Sequence, residues 1–598
     1  MFTKLIPTLS LTFVLSTLPA LAAPPTPIGV LEIEGALKDR PAAASPFGSS
    51  KHSQTLRGVI AALRDAAART DLKGVVIKLK EPQLKTSQIE ELGQAMTAFR
   101  AAGKKIHLYA YGYDTSELLL GSFADEVIVQ TGGGVSLPGV YMEEMYLADT
   151  LAWAGVKADY VQIGDFKGAS ETMVNSKPSE PWNQNIEQLL DGLYGQVRTI
   201  LKTGRKMNDA KLDAAMTEAA WATADDAKRL GLVDSIVDLP ALGDHLKAAY
   251  GSEIAWNDNL LNDPATKLDT SNPFAIFSAL MTKKEVKPKR DTLAIVHIDG
   301  AIVDGDSTSG GFLGGGSSVG SLTIRRALSQ IEDEPLIKGV LVRIDSPGGS
   351  AIASEVIWQG LRRIADKGKP VYVSVGSMAA SGGYYIAVAG QKIYVNPSSI
   401  VGSIGVVGGK IALGGLYEKF KLNVVSRSRG PRGMLMASAP AWSESDRAYI
   451  RQKMTEIYTS FTGRVTQGRP GIDLKATAEG RLFTGEKALA LKMADAIGGV
   501  EDALAGLATA AKLPTGSYDT MDYPQPRGFE ETLERLFGQF ATAPSVDAPS
   551  PLLRDTAAAA RQLLGPHAWS SIQSSLEAFA QLRTEPVILA TPRAIIVR

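Results

Sequence analysis

Two stretches of the chain, Leu72-Lys-Gly-Val-Val-Ile-Lys-Leu79 and Ile337-Lys-Gly-Val-Leu-Val-Arg-Ile344, carry the same short pattern. Each places a run of β-branched and aliphatic residues behind a Lys-Gly pair, which is typical of a buried strand. Gly339 corresponds to Gly74 at an offset of 265. This spacing is far longer than a solenoid repeat and predicts a duplicated domain.

Two further pairs of stretches keep this spacing to within one residue. Residues 28–37 resemble residues 293–302 at an offset of 265, and residues 105–112 resemble residues 369–376 at an offset of 264. Three matches in register, with one residue of slippage, indicate that the two copies share a whole fold.

Each copy alternates apolar strands with helical patterns. In the first copy, residues 87–100 place Ile89, Leu92, Met96 and Phe99 on one helix face, and residues 353–367 repeat this arrangement in the second copy. Strand–helix–strand alternation predicts parallel pairing with right-handed crossovers. The fold class is therefore α/β, with two tandem domains that each contain a mainly parallel sheet and flanking helices.

The length of 598 residues also requires more than one core. We divide the chain into an N-terminal segment (1–22), a first domain (25–255), a linker (256–290), a second domain (291–513) and a partly helical tail (514–598). The linker contains a basic run that we interpret as solvated.

The first 22 residues have the features of an export signal. One lysine, Lys4, precedes an apolar stretch, and Ala20-Leu21-Ala22 has the small-x-small pattern of a cleavage site. The segment predicts a periplasmic location, or attachment to the periplasmic side of the inner membrane if it is retained as an anchor.

Composition excludes several classes of function. The 63 basic and 63 acidic residues give no net charge, which argues against nucleic-acid binding. The absence of cysteine excludes thiolate chemistry and cysteine-based metal sites. Because the sequence also lacks metal-type histidine spacing and a phosphate-binding glycine loop, we expect no metal and no cofactor.

The copies differ in the turn after the shared strand. The second copy has Asp345-Ser-Pro-Gly-Gly-Ser350, where the first has Lys80-Glu-Pro-Gln-Leu-Lys85. Gly348 and Gly349 can turn backbone N–H groups towards a ligand, because glycine accepts positive φ. An ordinary tight turn is the alternative interpretation.

A second difference places a serine among small residues. The second copy has Ala379-Ala-Ser-Gly-Gly-Tyr-Tyr385 at a predicted strand-to-helix turn, and Glu117 of the first copy corresponds to Ser381. Such a turn suits a nucleophile, with the N–H of Gly382 available to an oxyanion. Close helix packing by small residues is the alternative.

The third difference favours the first copy, which has Lys167 where the second has Arg432. A buried lysine can lose its proton at workable pH, whereas arginine cannot. The five histidines, His52, His107, His245, His297 and His567, lie outside the serine motif. The copies thus divide a possible serine–lysine pair between them.

These motifs, together with Val401-Gly-Ser-Ile-Gly405, resemble the tandem-domain signal peptide peptidases of the S49 serine peptidase family, within the Clp protease/crotonase superfamily. The resemblance covers about residues 25–515. It implies that Ser381 is the nucleophile, that Lys167 is the general base and that Ser403 orients the lysine. It also implies a bowl-shaped homotetramer that degrades signal-peptide remnants.

Two other functions stay open on the sequence alone. A crotonase-like acyl-CoA enzyme would use the glycine turn without a serine nucleophile, and a non-catalytic envelope scaffold is compatible with the duplication. For the peptidase, the sequence predicts apolar walls beside Ser381, formed by Met378, Tyr384, Tyr385, Ile404 and Val406.

Overall fold

The computed structural model describes residues 24–40, 54–257, 260–261, 286–308, 317–525, 587–589 and 596–597. The predicted export segment lies outside these residues, as do residues 262–285 of the linker and 526–586 of the tail. In the part of the chain that is described, no helix is long and apolar enough to cross a bilayer.

The first copy alternates strands and helices. Its strands are β1 (Thr26–Ala36), β2 (Gly74–Gln83), β3 (Lys105–Ala110), β4 (Glu126–Val129), β5 (Gly134–Val135), β6 (Val140–Tyr141), β7 (Lys157–Ile163), β8 (Ala222–Thr223), β9 (Ser235–Ile236) and β10 (Ile254–Asn257). Its helices are α1 (Leu56–Ala68), α2 (Thr86–Ala101), α3 (Thr115–Gly121), α4 (Ala148–Ala154), α5 (Glu171–Val174), α6 (Glu180–Gly204), α7 (Asp209–Glu218), α8 (Ala224–Leu230) and α9 (Leu242–Tyr250).

The second copy follows the same plan. Its strands, with β22 just beyond residue 513, are β11 (Thr292–Asp299), β12 (Ala301–Val303), β13 (Ser318–Gly320), β14 (Ile337–Ser346), β15 (Gly349–Ser350), β16 (Val371–Ala380), β17 (Lys392–Val395), β18 (Ile400–Gly402), β19 (Val406–Ala412), β20 (Leu482–Thr484), β21 (Ala496–Ile497) and β22 (Asp519–Tyr523). Its helices are α10 (Ser321–Asp333), α11 (Ala351–Asp366), α12 (Gly382–Ala387), α13 (Gly414–Lys419), α14 (Glu444–Gly468), α15 (Leu474–Thr477), α16 (Gly485–Ala490) and α17 (Val500–Ala510).

Two strands, β23 (Val587–Leu589) and β24 (Ile596–Val597), come from the tail. Short 3₁₀ turns occur at Gly168–Ser170, Ala219–Trp221 and Leu239–Ala241.

Each copy is built on its own parallel sheet, which confirms the predicted α/β class. The strand order is β10-β1-β2-β3-β4-β9 in the first copy and β20-β18-β16-β14-β11-β22 in the second, where β17 also pairs with β16 and β21. The copies share their register: Val75 lies opposite Ile106, and Val340 lies opposite Val371. The pair β18–β20 is antiparallel.

Apolar helix faces cover these sheets. In the first copy Ile89, Leu92, Met96 and Phe99 are buried on α2, as the sequence predicts. In the second copy α10 and α11 bury Ile324, Leu328, Ile357 and Leu361 in the same core as β14 and β16.

A third sheet is assembled from both copies, in the order β13-β12-β15-β23-β19-β7. Strand β7 of the first copy pairs antiparallel with β19 of the second, from Ile163 opposite Val406 to Lys157 opposite Ala412. Gly409 permits this pairing, because a Cβ there would lie 2.5 Å from the Tyr160 ring. Strand β7 therefore carries the chain of the first copy into the second.

Buried charges also join the two copies. Arg343 of β14 bonds Glu91 Oε1 of α2 at 2.8 Å and Asp39 Oδ1 at 3.2 Å. Glu91 also accepts hydrogen bonds from Asn396 Nδ2 at 3.0 Å and from the Val500 N–H at 2.9 Å. Burial alone would raise the pKa of Asp39, but the charge and hydrogen bond of Arg343 outweigh it and lower that pKa.

We expect Glu91→Ala to destabilise the protein strongly. The substitution strands the buried Arg343 guanidinium, and breaking a buried pair from one side costs about 3–5 kcal/mol. Glu501→Ala is the matched control, because Glu501 also bridges the copies, to Arg57 and Arg64, but its side chain is 31% exposed. An exposed pair contributes only about 0–1 kcal/mol. Thermal unfolding of both variants should separate them, and equal shifts in Tm would contradict this account.

Candidate active site

Ser381 occupies the turn between β16 and α12. Strand β16 ends at Ala380 and α12 begins at Gly382, which confirms the predicted strand-to-helix turn. The turn holds Ser381 at φ +54°, an unusual conformation for a residue with a side chain. Its N–H donates to Gly402 O at 2.8 Å, so the end of β18 fixes the turn.

Glycines allow the serine turn to pack against the glycine turn. A Cβ on Gly382 would lie 2.6 Å from Ser354 Oγ and 3.2 Å from the Gly349 nitrogen. A Cβ on Gly349, which has φ +154°, would lie 1.9 Å from the carbonyl oxygen of Ile302. Gly348, Gly349 and Gly382 are thus adjacent, and larger residues at these positions would force the turns apart.

Lys167 reaches the same place from the first copy. It lies four residues after β7 and is 1% exposed. The Lys167 backbone passes very close to the second copy. A Cβ on Gly480 would lie 2.5 Å from the backbone nitrogen of Lys167. On the other side, a Cβ on Gly168 would lie 2.2 Å from the Trp182 ring. Close packing therefore fixes the lysine.

Two serine hydroxyls and one backbone carbonyl oxygen surround the side-chain nitrogen of Lys167. Lys167 Nζ lies 2.7 Å from Ser381 Oγ, 2.9 Å from Ser403 Oγ and 2.9 Å from Ser403 O. Ser381 is fully buried and Ser403 is 1% exposed. The structure therefore brings together the three residues that the sequence selected, and it does so within a single chain.

Burial lowers the pKa of the Lys167 ammonium well below its ordinary value. The cause is desolvation, since removing an ammonium from water disfavours its charged form. The near neighbours at Nζ are hydroxyl and carbonyl oxygens rather than carboxylates. A lysine in these surroundings can therefore act as a proton acceptor at a lower pH than an exposed lysine can.

Glu117 and Arg432, which correspond to Ser381 and Lys167 in the other copy, have structural roles. Glu117 forms a capping box with Asp114 at the start of α3. Arg432 lies near the surface and donates to Asp446 Oδ1 at 2.9 Å. The serine and the lysine are thus each found in one copy, and the copies do not form two equivalent sites.

Sequence reasoning missed the residues that hold Ser403 and β18. The Ser403 N–H donates to Arg481 O at 2.6 Å. The side-chain amide of Asn185, in α6, donates to the carbonyl oxygen of Leu482 and accepts from the N–H of Leu482. Glu479 and Gly480, both with positive φ, shape the turn before Arg481. In the sequence, the Glu479-Gly480 pair indicates a turn. It does not indicate that this turn packs against Lys167, because the two are more than 300 residues apart and meet only in the tertiary fold.

The predicted apolar walls are largely wrong. Tyr384, Ile404 and Val406 are fully buried, and Tyr385 is 3% exposed. The tyrosine hydroxyls are used inside the fold, bonding Met493 O and Glu355 respectively. These residues belong to the core of the second copy because they fill the space behind the serine turn. Met378 is the partly exposed member of the set.

The described histidines bond elsewhere. His107 and His245 share Glu126, and His297 bonds Asp522. The remaining two, His52 and His567, lie outside the described residues.

Comparison with known proteins assigns the chain to a family. The sequence profile of peptidase family S49 matches residues 98–251 and 363–514, one match in each copy. The chain belongs to peptidase family S49. It is therefore a serine peptidase with two tandem family domains, as the sequence motifs predicted.

Curated relatives match across most of the chain. Protease 4 of Haemophilus influenzae is 28% identical over 75% of this chain and 71% of its own length. Protease 4 of Salmonella typhi is 26% identical over 81% of this chain and 78% of its own length. Among solved structures, a mutant of the 1510-N membrane-bound stomatin-specific protease covers 40% of this chain and 99% of its own at 16% identity and a TM-score of 0.25.

Proposed function

We propose that the chain is a serine endopeptidase in which Ser381 is the nucleophile and Lys167 is the general base. The observation that carries the proposal is the 2.7 Å contact between Lys167 Nζ and Ser381 Oγ in a buried site. A serine hydroxyl needs a base within hydrogen-bonding reach to become a nucleophile. Desolvation supplies that base by favouring the neutral amine.

The three contacts at Lys167 Nζ match the hydrogen-bonding capacity of a neutral amine. A neutral lysine has two N–H donors and one lone pair. Ser403 Oγ and Ser403 O, both at 2.9 Å, can accept the two N–H bonds. The lone pair then points at Ser381 Oγ and accepts the hydroxyl proton. Ser403 therefore orients the base by occupying its donors.

The reaction follows the acyl-enzyme sequence of serine peptidases. As Ser381 Oγ bonds to the peptide carbonyl carbon, its proton passes to Lys167 Nζ. The proton then moves to the leaving amine as the C–N bond breaks. A water, deprotonated by the same lysine, then attacks the acyl-enzyme. The lysine returns this proton to Ser381 Oγ as the ester bond breaks, which releases the second product and the free serine.

Backbone N–H groups stabilise the negatively charged oxygen of the tetrahedral intermediate. We assign one donor to Gly382, which follows the nucleophile, and one to Gly348 or Gly349 of the glycine turn. Gly349 is favoured, because the Gly348 N–H donates to Ser346 Oγ at 3.2 Å. The packing of Gly382 against Gly349 keeps these donors close to Ser381. Such preorganised donors contribute about 10²–10³ in kcat each.

We assign extended apolar peptides, including signal-peptide remnants, as the substrates. Ser381 is fully buried at a junction of two copies, so a folded globule could not present a bond to it. Met378, Met142 and Leu190 are partly buried and pack against a buried apolar cluster that contains Ala380, the residue before the serine. The predicted export signal supports a site of action in the periplasm or at the periplasmic side of the inner membrane.

We also propose that copies of the chain assemble into a homotetramer. Residues 422–428 of the second copy correspond, at the same offset of 265, to β7 of the first copy. They are exposed, with Leu422 at 56% and Val425 at 73%, and no ladder partner for them occurs among the described residues.

Internal symmetry supports a specific partner for this segment. Strand β7 pairs with β19, and residues 141–147 are the first-copy equivalent of β19. Tyr141 and Met145 are exposed there, at 51% and 55%. Residues 422–428 of one subunit would pair with residues 141–147 of the next, a head-to-tail contact that closes into a ring.

The pair of catalytic residues predicts a specific pattern of inactivation. Fluorophosphonate should label the protein at Ser381 and should not label Ser381→Ala. Lys167→Arg should lose about 10²–10⁴ in kcat/KM, as Lys167→Ala should, because arginine stays protonated and cannot serve as a general base. In the unmodified enzyme, activity should fall as pH falls through the lysine pKa, since only the neutral amine accepts a proton.

Lys410→Arg is the matched control for this series. Lys410 is also buried, and burial also lowers its pKa, but it bonds Leu435 O and Ala437 O away from the serine. Substantial activity in Lys167→Arg, or absence of labelling at Ser381, would overturn the proposal. An acyl-CoA enzyme and a scaffold should both fail to react with the probe.

Substrate choice is tested by comparing kcat/KM for a Leu- and Ala-rich peptide with that for a charged peptide of equal length. We expect a clear preference for the apolar peptide, because the charged one must lose hydration on entering the site. A folded protein serves as the control and should resist cleavage. Equal rates on both peptides, or ready digestion of the folded protein, would reject the substrate assignment while leaving the catalytic pair intact.

Assembly is tested by placing a charge in the exposed segment. Val424→Asp should shift the mass measured by light scattering from that of a tetramer towards that of a single chain, because the interface would bury an unpaired carboxylate. Trp221→Asp is the control, since Trp221 is 92% exposed but lies outside both segments. A tetramer that persists in Val424→Asp, or a wild-type monomer, would contradict this interface.

A further inference from the structure

One face of α2 packs against the second copy, while its apolar face belongs to the core of the first. Three polar residues on the face towards the second copy, Ser87, Glu90 and Glu91, are buried. Ser87 Oγ lies 3.0 Å from Ser377 Oγ in β16, and Glu91 pairs with Arg343 at 2.8 Å. Burying a carboxylate is costly unless it is hydrogen-bonded, so Glu90 also requires a partner.

Ser398 of the second copy is the partner of Glu90. Its hydroxyl donates to Glu90 Oε2 at 2.8 Å, and its backbone N–H lies 3.2 Å from Oε1 and 3.3 Å from Oε2. Burial raises the pKa of Glu90 to about 7 against the lowering effect of these bonds, and the neighbouring charge of Glu91 adds to the rise. Glu90 is thus matched by a serine and not by a cation.

The bond from Glu90 lies at the entrance to β18. The turn at residues 396–399 leads directly into that strand, and Ser399 Oγ donates to Gly376 O of β16 at 2.6 Å. Strand β18 then pairs with β16 over only three residues. A slip of one residue would turn every side chain of so short a strand to the other face, so its register depends on what holds its ends.

The far end of β18 holds both residues of the proposed catalytic pair. Gly402 O accepts the Ser381 N–H at 2.8 Å. Ser403, next in the chain, contacts Lys167 Nζ through its hydroxyl and its carbonyl oxygen, both at 2.9 Å. A displacement of β18 therefore moves the serine turn and the partner of the lysine together.

The second copy does not repeat the contact of Glu90. The residue that corresponds to it, at the offset of 265, is Glu355 in α11. Glu355 accepts bonds from Arg464 and from the Tyr385 hydroxyl, each at 2.6 Å and each within its own copy. The bond between Glu90 and Ser398 thus belongs to the junction of the copies, where the serine and the lysine meet.

We infer that Glu90 is a positioning residue for the proposed catalytic pair. By holding Ser398 it fixes β18, and β18 in turn fixes Ser381 against Lys167. The inference rests on the proposed peptidase function and adds a buried side chain of the first copy that acts on the site without touching substrate. The effect is on kcat, because a misplacement of about 1 Å can lower a rate about 10²-fold. KM should change little.

The test replaces Glu90 in the full chain by leucine and by glutamine. Leucine accepts no hydrogen bond, so Glu90→Leu should lower kcat about 10²-fold with KM nearly unchanged. Glutamine can accept the Ser398 N–H with its carbonyl oxygen and donate to the Ser398 hydroxyl with its amide, so Glu90→Gln should keep most of the activity. The rate at which fluorophosphonate labels Ser381 should follow the same order.

Glu126 provides the matched control. It also accepts a serine hydroxyl, that of Ser235 at 2.7 Å, and its side chain is 18% exposed, but both residues belong to the first copy, on β4 and β9. Glu126→Leu should lower Tm and leave kcat unchanged, because its bonds do not reach β18. All rates are measured well below the Tm of each variant, so that a loss of kcat does not report unfolding.

Ser398→Ala tests the path from Glu90 to β18. It removes the hydroxyl and leaves the N–H, so alone it should lower kcat less than Glu90→Leu does. Added to Glu90→Leu it should lower kcat no further, since substitutions of residues in contact are not additive. Losses that multiply would show that Glu90 does not act through Ser398 and would overturn the inference. If Glu90→Leu does not fold, a wild-type kcat in Ser398→Ala would overturn it.

The outcomes separate this inference from the proposed function. If fluorophosphonate labels Ser381 in the wild-type chain and Glu90→Leu loses no more kcat than Glu126→Leu, Glu90 is not a positioning residue and the peptidase stands. Equal losses in Glu90→Leu and Glu90→Gln would also contradict the inference, because only leucine breaks the bonds to Ser398. Absence of labelling in the wild-type chain would instead reject the catalytic pair, and the inference with it.

Discussion

The antiparallel pairing of β7 with β19 is the interaction on which the site depends. It runs from Lys157 opposite Ala412 to Ile163 opposite Val406, and it delivers the chain of the first copy to within four residues of Lys167. Backbone hydrogen bonds fix the register of such a pair, and a slip by one residue would turn every side chain to the other face. The position of the lysine nitrogen relative to the serine is thus set by a ladder rather than by a flexible loop.

Much of this architecture was readable from local patterns. The repeat at an offset of 264 to 265 residues predicted two α/β domains, and the shared register of Val75 with Ile106 and Val340 with Val371 is the structural form of that repeat. Comparison of the two copies singled out Ser381 and Lys167, because each is replaced in the other copy, by Glu117 and Arg432 respectively. The structure places the two side chains in hydrogen-bonding contact.

Other features were beyond local reasoning. The apolar residues after Ser381 match both a pocket wall and a core, and only the packing behind the serine turn shows that Tyr384 and Ile404 are core. Arg481 contributes a backbone carbonyl, a group that every residue possesses, so its identity gives no signal. The sheet of mixed origin joins strands that are distant in sequence, and such pairings depend on the tertiary fold.

Lys167 belongs to the first copy and Ser381 to the second, so the two residues are synthesised at different times. Lys167, the base that we propose, is in the part of the chain that is made first, while Ser381, the proposed nucleophile, and its partner Ser403 belong to the second copy and are made much later. The carbonyl of Arg481 that anchors Ser403 comes later still. Domains generally fold as units from the N-terminus onwards. A chain still being made therefore carries Lys167 without Ser381, and the contact between these two side chains arises only when both domains have folded and docked.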